Sequence, residues 1–358
     1  MCVMPLCVDG SRYDRHPVSI STSPFASRVV AIDEEIRAVL TQVEPALQPF
    51  YGMMLYHLGL DIDPSGTGKR LRPLVSVLVY EALAGGTRSV LPAAAALELL
   101  HNFTLIHDDI EDHDPTRRHR PTVWSVWGVP QAINAGDGMY AVSRLAVQRL
   151  RQQDLPAERI LDFACLLDQA CVRVCEGQFL DISFESRTDV TVERYRAMVA
   201  RKTGALIAAA CEGAAVLATD DGEIRDALAR FGDEFGQAFQ AHDDLLGIWA
   251  STERTGKLAM NDLVKRKKTL PVVMAFERAS PRLRAELTTL FETPTPLPVE
   301  SVERIREIMD ELGTRELLER EIAAHRVRAL GVLRGIGPIA AADEPLALLE
   351  RLVGAATG

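Results

Sequence analysis

The sequence contains little of what marks a secreted, membrane or nucleic-acid-binding protein. No stretch approaches about 20 consecutive apolar residues, so no transmembrane helix is expected. The first residues, MCVMPLCVDGSRYDRHPV, lack a basic segment followed by an apolar one, so no secretory signal peptide is expected. The 40 Lys and Arg residues are outnumbered by 50 Asp and Glu, which gives a net charge of −10. This acidic balance argues against binding to a nucleic-acid backbone.

Cysteine is sparse, with 6 residues in a chain of 358. No two cysteines form a C-x-x-C pair. Cys171 and Cys175 share a helix face, but no histidine or second thiol pair accompanies them. A disulfide framework or a zinc site is therefore not expected, and we predict buried, reduced thiols in a cytoplasmic protein.

Signals for β-structure are also missing. No turn dipeptide stands between alternating apolar residues, and strands and helices do not alternate. From about Ser27 onward, apolar residues instead recur every three or four positions, as in helices; clear examples are 28–50, 91–112, 194–218 and 221–249. Segments 91–107 and 204–217 are apolar on nearly every side, which is typical of helices inside a bundle. We predict one all-α domain over residues 29–358, preceded by a mobile extension over residues 1–28.

The most informative motif is HDDIED at 107–112. Asp108 and Asp112 are four residues apart, so on a helix their carboxylates lie on one face, with Asp109 beside them. An acidic helix end is often only a solvated surface, but the apolar FTLI immediately before this one indicates that it closes a buried helix. Neighbouring carboxylates suit Mg²⁺, which keeps several waters and completes its octahedron with substrate phosphate oxygens.

A second acidic pair, Asp243 and Asp244, closes another near-apolar helix. Two such pairs could face each other across one cavity mouth and hold a diphosphate through several metal ions. A single basic residue is usually a solvated surface charge, yet four basic clusters accompany the acidic pairs, and Arg and Lys both suit diphosphate oxygens. The clusters are Lys69, Arg70 and Arg72; Arg117, Arg118 and Arg120; Lys202 with Thr203; and Lys257, Lys265, Lys267 and Lys268.

Together these motifs resemble those of the trans-isoprenyl diphosphate synthases, the polyprenyl synthetase family. The resemblance runs from about residue 65 to residue 275. Its segments are GKRLRP at 68–73, ELLHNFTLIHDDIED to RRHRPT at 98–122, EGQFLD at 176–181, KTG at 202–204, GQAFQAHDD at 236–244, and TGK to DLVKRKKTLP ending at 271. It implies an isoprenoid synthase-type helical bundle around a deep central cavity, a homodimer, and a prenyltransferase that joins isopentenyl diphosphate head to tail to allylic diphosphates.

The resemblance also implies roles for individual residues. Three Mg²⁺ ions would be held by Asp108, Asp109 and Asp112 of the first motif and by Asp243 and Asp244 of the second. Isopentenyl diphosphate would contact Lys69, Arg72, His101 and Arg118. The allylic substrate would contact Arg117, Lys202, Thr203, Gln240, Lys257 and Lys267, of which Arg117, Lys202, Gln240 and Lys257 would act in catalysis. Gln178 and Asp181 would support the lysines and metal-bound water.

The sequence departs from the family pattern at three positions. Gly247 replaces the last aspartate of the second motif, Asp262 lacks the usual glycine before it, and His119 stands where glycine commonly follows the paired arginines. Gly247 matters most, because it removes one carboxylate from the metal region.

Product length should depend on Phe103, which lies five residues before Asp108 and about 7.5 Å deeper along the helix. In the family, bulk at this position limits elongation, so we expect a C20 product, geranylgeranyl diphosphate, with C15 farnesyl diphosphate as the alternative.

Two other functions remain open at this point. A class I terpene cyclase shares the bundle and the first motif. However, NDLVKRKKT at 261–269 has Lys265 and Thr269 where the cyclase metal motif needs Ser and Glu. A non-catalytic partner subunit of a heteromeric synthase would be consistent with Gly247, since such subunits usually lose an aspartate motif.

Overall fold

The structure is a computed structural model that describes residues 24–41, 43–61, 68–250, 260–292, 297–336 and 343–358. These residues are helical almost throughout, which confirms the all-α prediction. The helices are α1 Ala26–Leu40, α2 Gln48–Leu58, α3 Leu71–Ala84, α4 Leu91–Glu111, α5 Val123–Trp127, α6 Val129–Gln148, α7 Ala157–Glu185, α8 Val192–Val199, α9 Ala205–Ala218, α10 Gly222–Trp249, α11 Asn261–Val264, α12 Leu270–Arg278, α13 Pro281–Glu292, α14 Val299–Glu311, α15 Thr314–Gly335 and α16 Asp343–Thr357. Short 3₁₀ turns occupy Pro45–Leu47, Arg88–Val90 and Arg149–Gln152, and a π-helical segment, Ala200–Gly204, joins α8 to α9.

The bundle is built around its most apolar helices. α4 packs along α6, α10 lies between α9 and α15, and α3 packs against both α9 and α4. Nearly every residue of α9 and the first half of α4 is buried, as the apolar segments 204–217 and 91–107 predict. The aspartate-rich ends of α4 and α10 are thereby held by rigid core helices.

The segment Arg88–Glu111, which contains α4, is long and apolar enough to cross a membrane by length and composition, with a mean hydropathy of 1.4. In the part of the chain that the structure describes it is the one such segment, and 67% of its 18-residue apolar window is buried inside the protein. This burial is what the central helix of a bundle requires.

The segment 28–50, predicted as a single helix, is two helices. α1 ends at Leu40 and α2 begins at Gln48. Glu44, which precedes Pro45, has extended dihedrals (φ −60°, ψ 143°), because a residue before proline is disfavoured in the α conformation. α1 begins at Ala26, just inside the predicted N-terminal extension. Residues 1–23 lie outside the described residues, so the mobile extension stays a prediction.

A short hairpin was missed by the sequence analysis. Strands β1 Thr116–Arg117 and β2 Arg120–Pro121 pair antiparallel, with Thr116 opposite Pro121. The turn residues Arg118 and His119 have φ of 51° and 62°, as a two-residue hairpin turn requires. The usual Asn-Gly signal is absent, so the pattern gave no indication of it. His119 adopts a left-handed conformation at the position where the family commonly has glycine.

The prediction of buried thiols is wrong for two of the four cysteines in the described residues. Cys171 and Cys211 are buried, whereas Cys165 and Cys175 are exposed, and all four are free. Both exposed thiols lie on α7, one face of which has no neighbour in the bundle.

Candidate active site

The first aspartate cluster lies at the C-terminal end of α4, where the helix dipole disfavours negative charge. Nearby cations compensate. Lys267 Nζ lies 2.6 Å from Asp112 Oδ2, and Arg117 Nε on β1 lies 2.7 Å from Asp109 Oδ1. The second carboxylate oxygen of Asp109 is buried and has no hydrogen-bond partner among the described residues.

The three carboxylates differ in their affinity for protons. Burial raises the pKa of Asp108 and of Asp109 to about 6. For Asp112 burial acts in the same direction, but the charge and hydrogen bond of Lys267 outweigh it and lower the pKa. A desolvated carboxylate gains much from a nearby cation, so this helix end favours metal binding.

The two residues of the second acidic pair, Asp243 and Asp244, have different surroundings. Asp243 is exposed at the surface of α10, whereas Asp244 is buried. Asp244 Oδ2 accepts hydrogen bonds from Tyr195 Oη (2.6 Å) and the Leu270 backbone N–H (2.8 Å), and its Oδ1 accepts one from Gln240 Nε2 (3.0 Å). Burial raises the pKa of Asp244 to about 7 despite these bonds. In this structure Asp244 ties α8 and α12 to α10, and its role as a metal ligand stays a prediction.

Lys202 and Thr203, predicted to open a helix, lie inside the π-helical segment Ala200–Gly204. Such segments are rare and frequently occur at functional sites. Lys202 Nζ lies 2.5 Å from Asp181 Oδ2 on α7, and Thr203 Oγ1 donates to Gln240 Oε1 at 2.7 Å on α10. The π-helical segment thus contacts Asp181 on α7 through Lys202 and Gln240 on α10 through Thr203.

Close packing against glycine fixes this π-helical segment. A Cβ at Gly177 on α7 would lie 2.3 Å from the Lys202 backbone nitrogen, and a Cβ at Gly236 on α10 would lie 2.8 Å from the Gly204 Cα. Neither helix could approach so closely with a larger residue.

Opposite charges alternate across the mouth of the site. The pKa of Lys202 is raised by Asp181 and Asp108, although burial acts against its charge. The pKa of Lys267 is raised in the same way by Asp112, with Asp181 further away. Two of the predicted allylic-site lysines, Lys202 and Lys267, therefore lie among the predicted metal ligands. Gln178, predicted to support a lysine, instead donates to Glu111 Oε2 at 2.6 Å.

The predicted isopentenyl diphosphate residues gather where α3 begins beside α4. Arg72 Nη1 lies 3.0 Å from His101 Nε2. The Arg118 guanidinium lies against Gly68, where an added Cβ would be only 2.7 Å from it. Burial lowers the pKa of Arg72 to about 10 and, together with the charges of Arg72 and Arg118, lowers the pKa of His101 well below its usual value. His101 is then neutral, and Lys69 is exposed at the same turn.

Arg70 does not belong with this group, although the sequence analysis placed it in the same basic cluster. Its side chain is fully buried and pairs with Asp33 and Glu98 in the core. Lys257 lies outside the described residues, so its predicted role in the allylic site stays a prediction.

The space beside Gly247 is occupied by a carboxylate from another segment. Gly247 lies one helical turn after Asp243, and a Cβ built on it would be 2.3 Å from Asp262 Oδ2. Position 247 is therefore crowded, and Asp262 brings negative charge to the place where the family motif has its last aspartate.

Phe103 lies below the first aspartates, as predicted, but a second ring accompanies it. The Phe103 ring contacts Tyr140 on α6 edge-on, with centroids 5.3 Å apart, and contacts His107 at 5.8 Å. The sequence analysis assigned no role to Tyr140, Tyr195 or Glu98. Tyr140 and Tyr195 lie outside the quoted motifs, and Glu98 begins one of them but is separated from its aspartates by nine residues.

The residues at this mouth fit magnesium. Within the described part of the chain, no three His, Cys, Asp or Glu side chains already converge as a closed metal cage. Mg²⁺ needs only one or two protein carboxylates, because water and substrate phosphates supply the remaining ligands. The carboxylates of Asp108, Asp109 and Asp112 at the end of α4 and of Asp243 on α10 can supply such ligands, and they include an oxygen of Asp109 without a hydrogen-bond partner among the described residues.

Comparisons with known proteins agree with this geometry. The family described as Polyprenyl synthetase matches residues 61–312. A geranylgeranyl diphosphate synthase of Mycobacterium tuberculosis is 39% identical over 80% of this chain and 82% of its own length. A (2E,6E)-farnesyl diphosphate synthase of Mycobacterium bovis is 36% identical over 90% of this chain and 88% of its own.

Solved structures show the same bundle. A geranylgeranyl pyrophosphate synthetase from Pyrococcus horikoshii superposes with a TM-score of 0.83 at 31% identity, over 92% of this chain and 96% of that one. A geranylgeranyl pyrophosphate synthase from Corynebacterium glutamicum, complexed with isoprenyl diphosphate and magnesium, gives 0.78 at 29% identity, over 91% and 98%. The predicted isoprenoid synthase-type bundle is confirmed, and the chain belongs to the polyprenyl synthetase family.

Proposed function

We propose that this short-chain isoprenyl diphosphate synthase adds isopentenyl diphosphate head to tail to allylic diphosphates and stops at the C20 product. The observation that carries the proposal is the charged mouth itself. Asp108 and Asp112 at the end of α4 meet Lys202 and Lys267 there, beside a separate cluster of Arg72, His101 and Arg118. Two diphosphates need two such sites, one with acidic metal ligands and one with basic side chains.

Magnesium, when bound, would supply the positive charge that lets a diphosphate leave. Asp108 and Asp112 would hold it from one side and Asp243 from the other, with three ions proposed in total. The Corynebacterium glutamicum relative was crystallised with magnesium, which supports the metal but not the number of ions. Oxygen ligands at the ends of two helices suit this hard cation.

The chain's own residues then position and neutralise the substrates. Lys202, Lys267 and Arg117 would stabilise charge on the departing allylic diphosphate, which is electrostatic rather than nucleophilic catalysis. Thr203 donates a hydrogen bond to Gln240 and thereby fixes the π-helical segment against α10. Arg72 and the neutral His101 would hold isopentenyl diphosphate so that the double bond of its isopentenyl group faces the allylic carbon. Burial of that carbon in the apolar bundle would exclude water.

The rings of Phe103 and Tyr140 support a short product. They meet edge-on between α4 and α6, more than one helical turn before Asp108 along α4. A growing tail would pass between these helices. Removing one of the two rings with Phe103→Ala should shift products to longer chains. An active, folded Phe103→Ala enzyme with an unchanged product distribution would contradict this role.

We further propose a homodimer through the exposed face of α7. One set of exposed or half-exposed positions on this helix recurs with alternating steps of four and three, the spacing with which one helix packs against another. They are Leu161, Cys165, Asp168, Val172, Cys175, Phe179 and Ile182. Phe179 is 72% exposed, and the nearby α5–α6 surface adds exposed Trp127 and Ile133. A second copy of the chain presents the same surface. Sedimentation of wild type and Phe179→Lys should give a dimer and a monomer, and a monomeric wild type would refute this arrangement.

We also propose that the protein acts in the cytoplasm. The free thiols of Cys165 and Cys175, exposed in a single chain, are compatible with a reducing compartment.

The decisive experiment incubates the purified chain with Mg²⁺, isopentenyl diphosphate and each allylic primer in turn, followed by product chromatography. C20 diphosphate from the chain alone is expected. No product unless a second protein is added would indicate a non-catalytic subunit. A cyclic hydrocarbon formed without isopentenyl diphosphate would indicate a cyclase.

A further inference from the structure

A fully buried arginine lies beneath the turn that carries Lys69 and Arg72. The Arg70 guanidinium contacts three different elements. Its Nε lies 2.7 Å from Asp33 Oδ1 on α1, its Nη1 3.0 Å from Glu98 Oε1 on α4, and its Nη2 donates to the Leu58 carbonyl at the end of α2 at 2.9 Å. No part of this side chain is exposed.

The backbone at Arg70 explains why these contacts are needed. Arg70 has φ of 46° and ψ of 38° immediately before α3, a left-handed conformation that L-residues other than glycine rarely adopt. Such a conformation persists only where the surroundings over-determine it. Because this residue reverses the chain between Lys69 and α3, its conformation sets where Lys69 lies relative to Arg72.

Glu98 links this buried arginine to the predicted isopentenyl diphosphate site. It lies three residues before His101 on α4, so Arg70–Glu98 and Arg72–His101 join the start of α3 to α4 at neighbouring turns. The Asn102 amide holds Glu98 in place by donating to its Oε1 at 2.9 Å. The negative charge of Glu98 also acts on Arg72 and on Arg118, and at Arg118 it offsets the repulsion from Arg70 and Arg117.

We propose that the Asp33–Arg70–Glu98 network is a positioning device for isopentenyl diphosphate, holding Lys69 and Arg72 in their binding arrangement before the substrate arrives. A site that is already ordered does not lose affinity to the ordering of its side chains. The inference rests on the proposed function, since it assumes that Lys69 and Arg72 bind this substrate. It assigns to α1, which carries no motif of its own, a part in substrate affinity.

The test compares two ion pairs that join α1 to α3, one at Arg70 immediately before α3 and a partly buried one near the other end of α3. Asp33→Asn removes one charge of the network with little change of shape, and Arg70→Met removes the guanidinium. The control is Glu81→Gln, which disrupts the Arg28–Glu81 pair (2.7 Å) between α1 and the far end of α3. Steady-state kinetics are measured for each substrate with the other saturating, alongside the melting temperature of each variant.

Asp33→Asn and Arg70→Met should raise KM for isopentenyl diphosphate about tenfold or more, because Lys69 and Arg72 must then be ordered on binding. Their kcat and KM for the allylic substrate should stay within about twofold of wild type. Arg70→Lys keeps the charge, so its KM for isopentenyl diphosphate should lie between those of wild type and Arg70→Met. Glu81→Gln should lower the melting temperature without changing either KM.

An unchanged KM for isopentenyl diphosphate in folded Asp33→Asn would overturn the inference. An equal rise in KM for both substrates would also overturn it, and so would the same rise in KM for isopentenyl diphosphate in Glu81→Gln. If Arg70→Met does not fold, Asp33→Asn decides alone. A wild-type chain that makes no product would refute the proposed function instead, so the two failures are distinguishable.

Discussion

Replacing Gly177 by alanine tests whether the π-helical segment Ala200–Gly204 must hold Lys202 at a fixed place. The new Cβ would lie 2.3 Å from the Lys202 backbone nitrogen and 2.6 Å from its Cα, whereas ordinary contact begins at 3.4 Å. The two backbones must therefore separate by about 1.1 Å (3.4 − 2.3). A displacement of about 1 Å commonly costs about 100-fold in rate. We expect kcat/KM for the allylic substrate to fall by that factor.

The control must strain the packing of α7 at another contact without moving Lys202. Gly213→Ala does so, because its Cβ would lie 2.7 Å from the Phe163 ring, where α7 packs on α9 far from the mouth. Both variants should lose about 1–3 kcal/mol of unfolding free energy, as overpacked sites do. Only Gly177→Ala should lose activity, measured at temperatures where both proteins are folded. A folded Gly177→Ala enzyme with wild-type kcat/KM would refute the idea that the position of Lys202 matters.

Three further predictions concern the metal region. Asp108→Ala should lower kcat by about 100-fold or more, equivalent to about 3 kcal/mol of lost charge stabilisation, at an unchanged melting temperature; near-normal turnover would remove Asp108 from the metal site. Because burial raises the pKa of Asp108 and Asp109 to about 6, these carboxylates bind protons below that pH. Mn²⁺ titrations of the free protein should therefore show affinity falling from pH 7 to pH 5, and a flat profile would contradict the assignment. Gly247→Asp should raise, rather than lower, the Mg²⁺ concentration for half-maximal rate, because the new side chain meets the Asp262 carboxylate; a lower requirement would show that Asp262 moves aside.

Much of the bundle was predictable because its causes are local. Apolar spacing along a helix is visible in sequence, and it identified the central segments that became α4, α9 and α10. The four-residue step between Asp108 and Asp112 likewise predicted a shared face. The order of the motifs then predicted the family.

The sequence could not distinguish neighbours of the same type. Asp243 and Asp244 are equivalent by spacing, yet one is exposed and the other accepts three hydrogen bonds in the core. Arg70 and Arg72 are equally basic, yet a left-handed φ at Arg70 turns it inward. The π-helical segment was hidden for a related reason, since a single inserted residue scarcely alters the helical spacing of the apolar residues on either side of it. Tertiary partners, which no local pattern records, decide each of these cases.

The pairing of opposite charges at the mouth suggests how one site can be stable both without and with its substrates. In the free protein, Asp112 is neutralised by Lys267, and Asp181 by Lys202. Under the proposed function, Mg²⁺ would replace the lysine at Asp112, and the released ammonium would meet the diphosphate that accompanies the metal. Each charged side chain would then exchange one partner for another, and none would be left buried without a partner. A buried charge without a partner costs far more free energy than either pairing. Under that proposal the lysines would serve the carboxylates before binding and the substrate afterwards, which would account for the acidic and basic clusters that occur together along this chain.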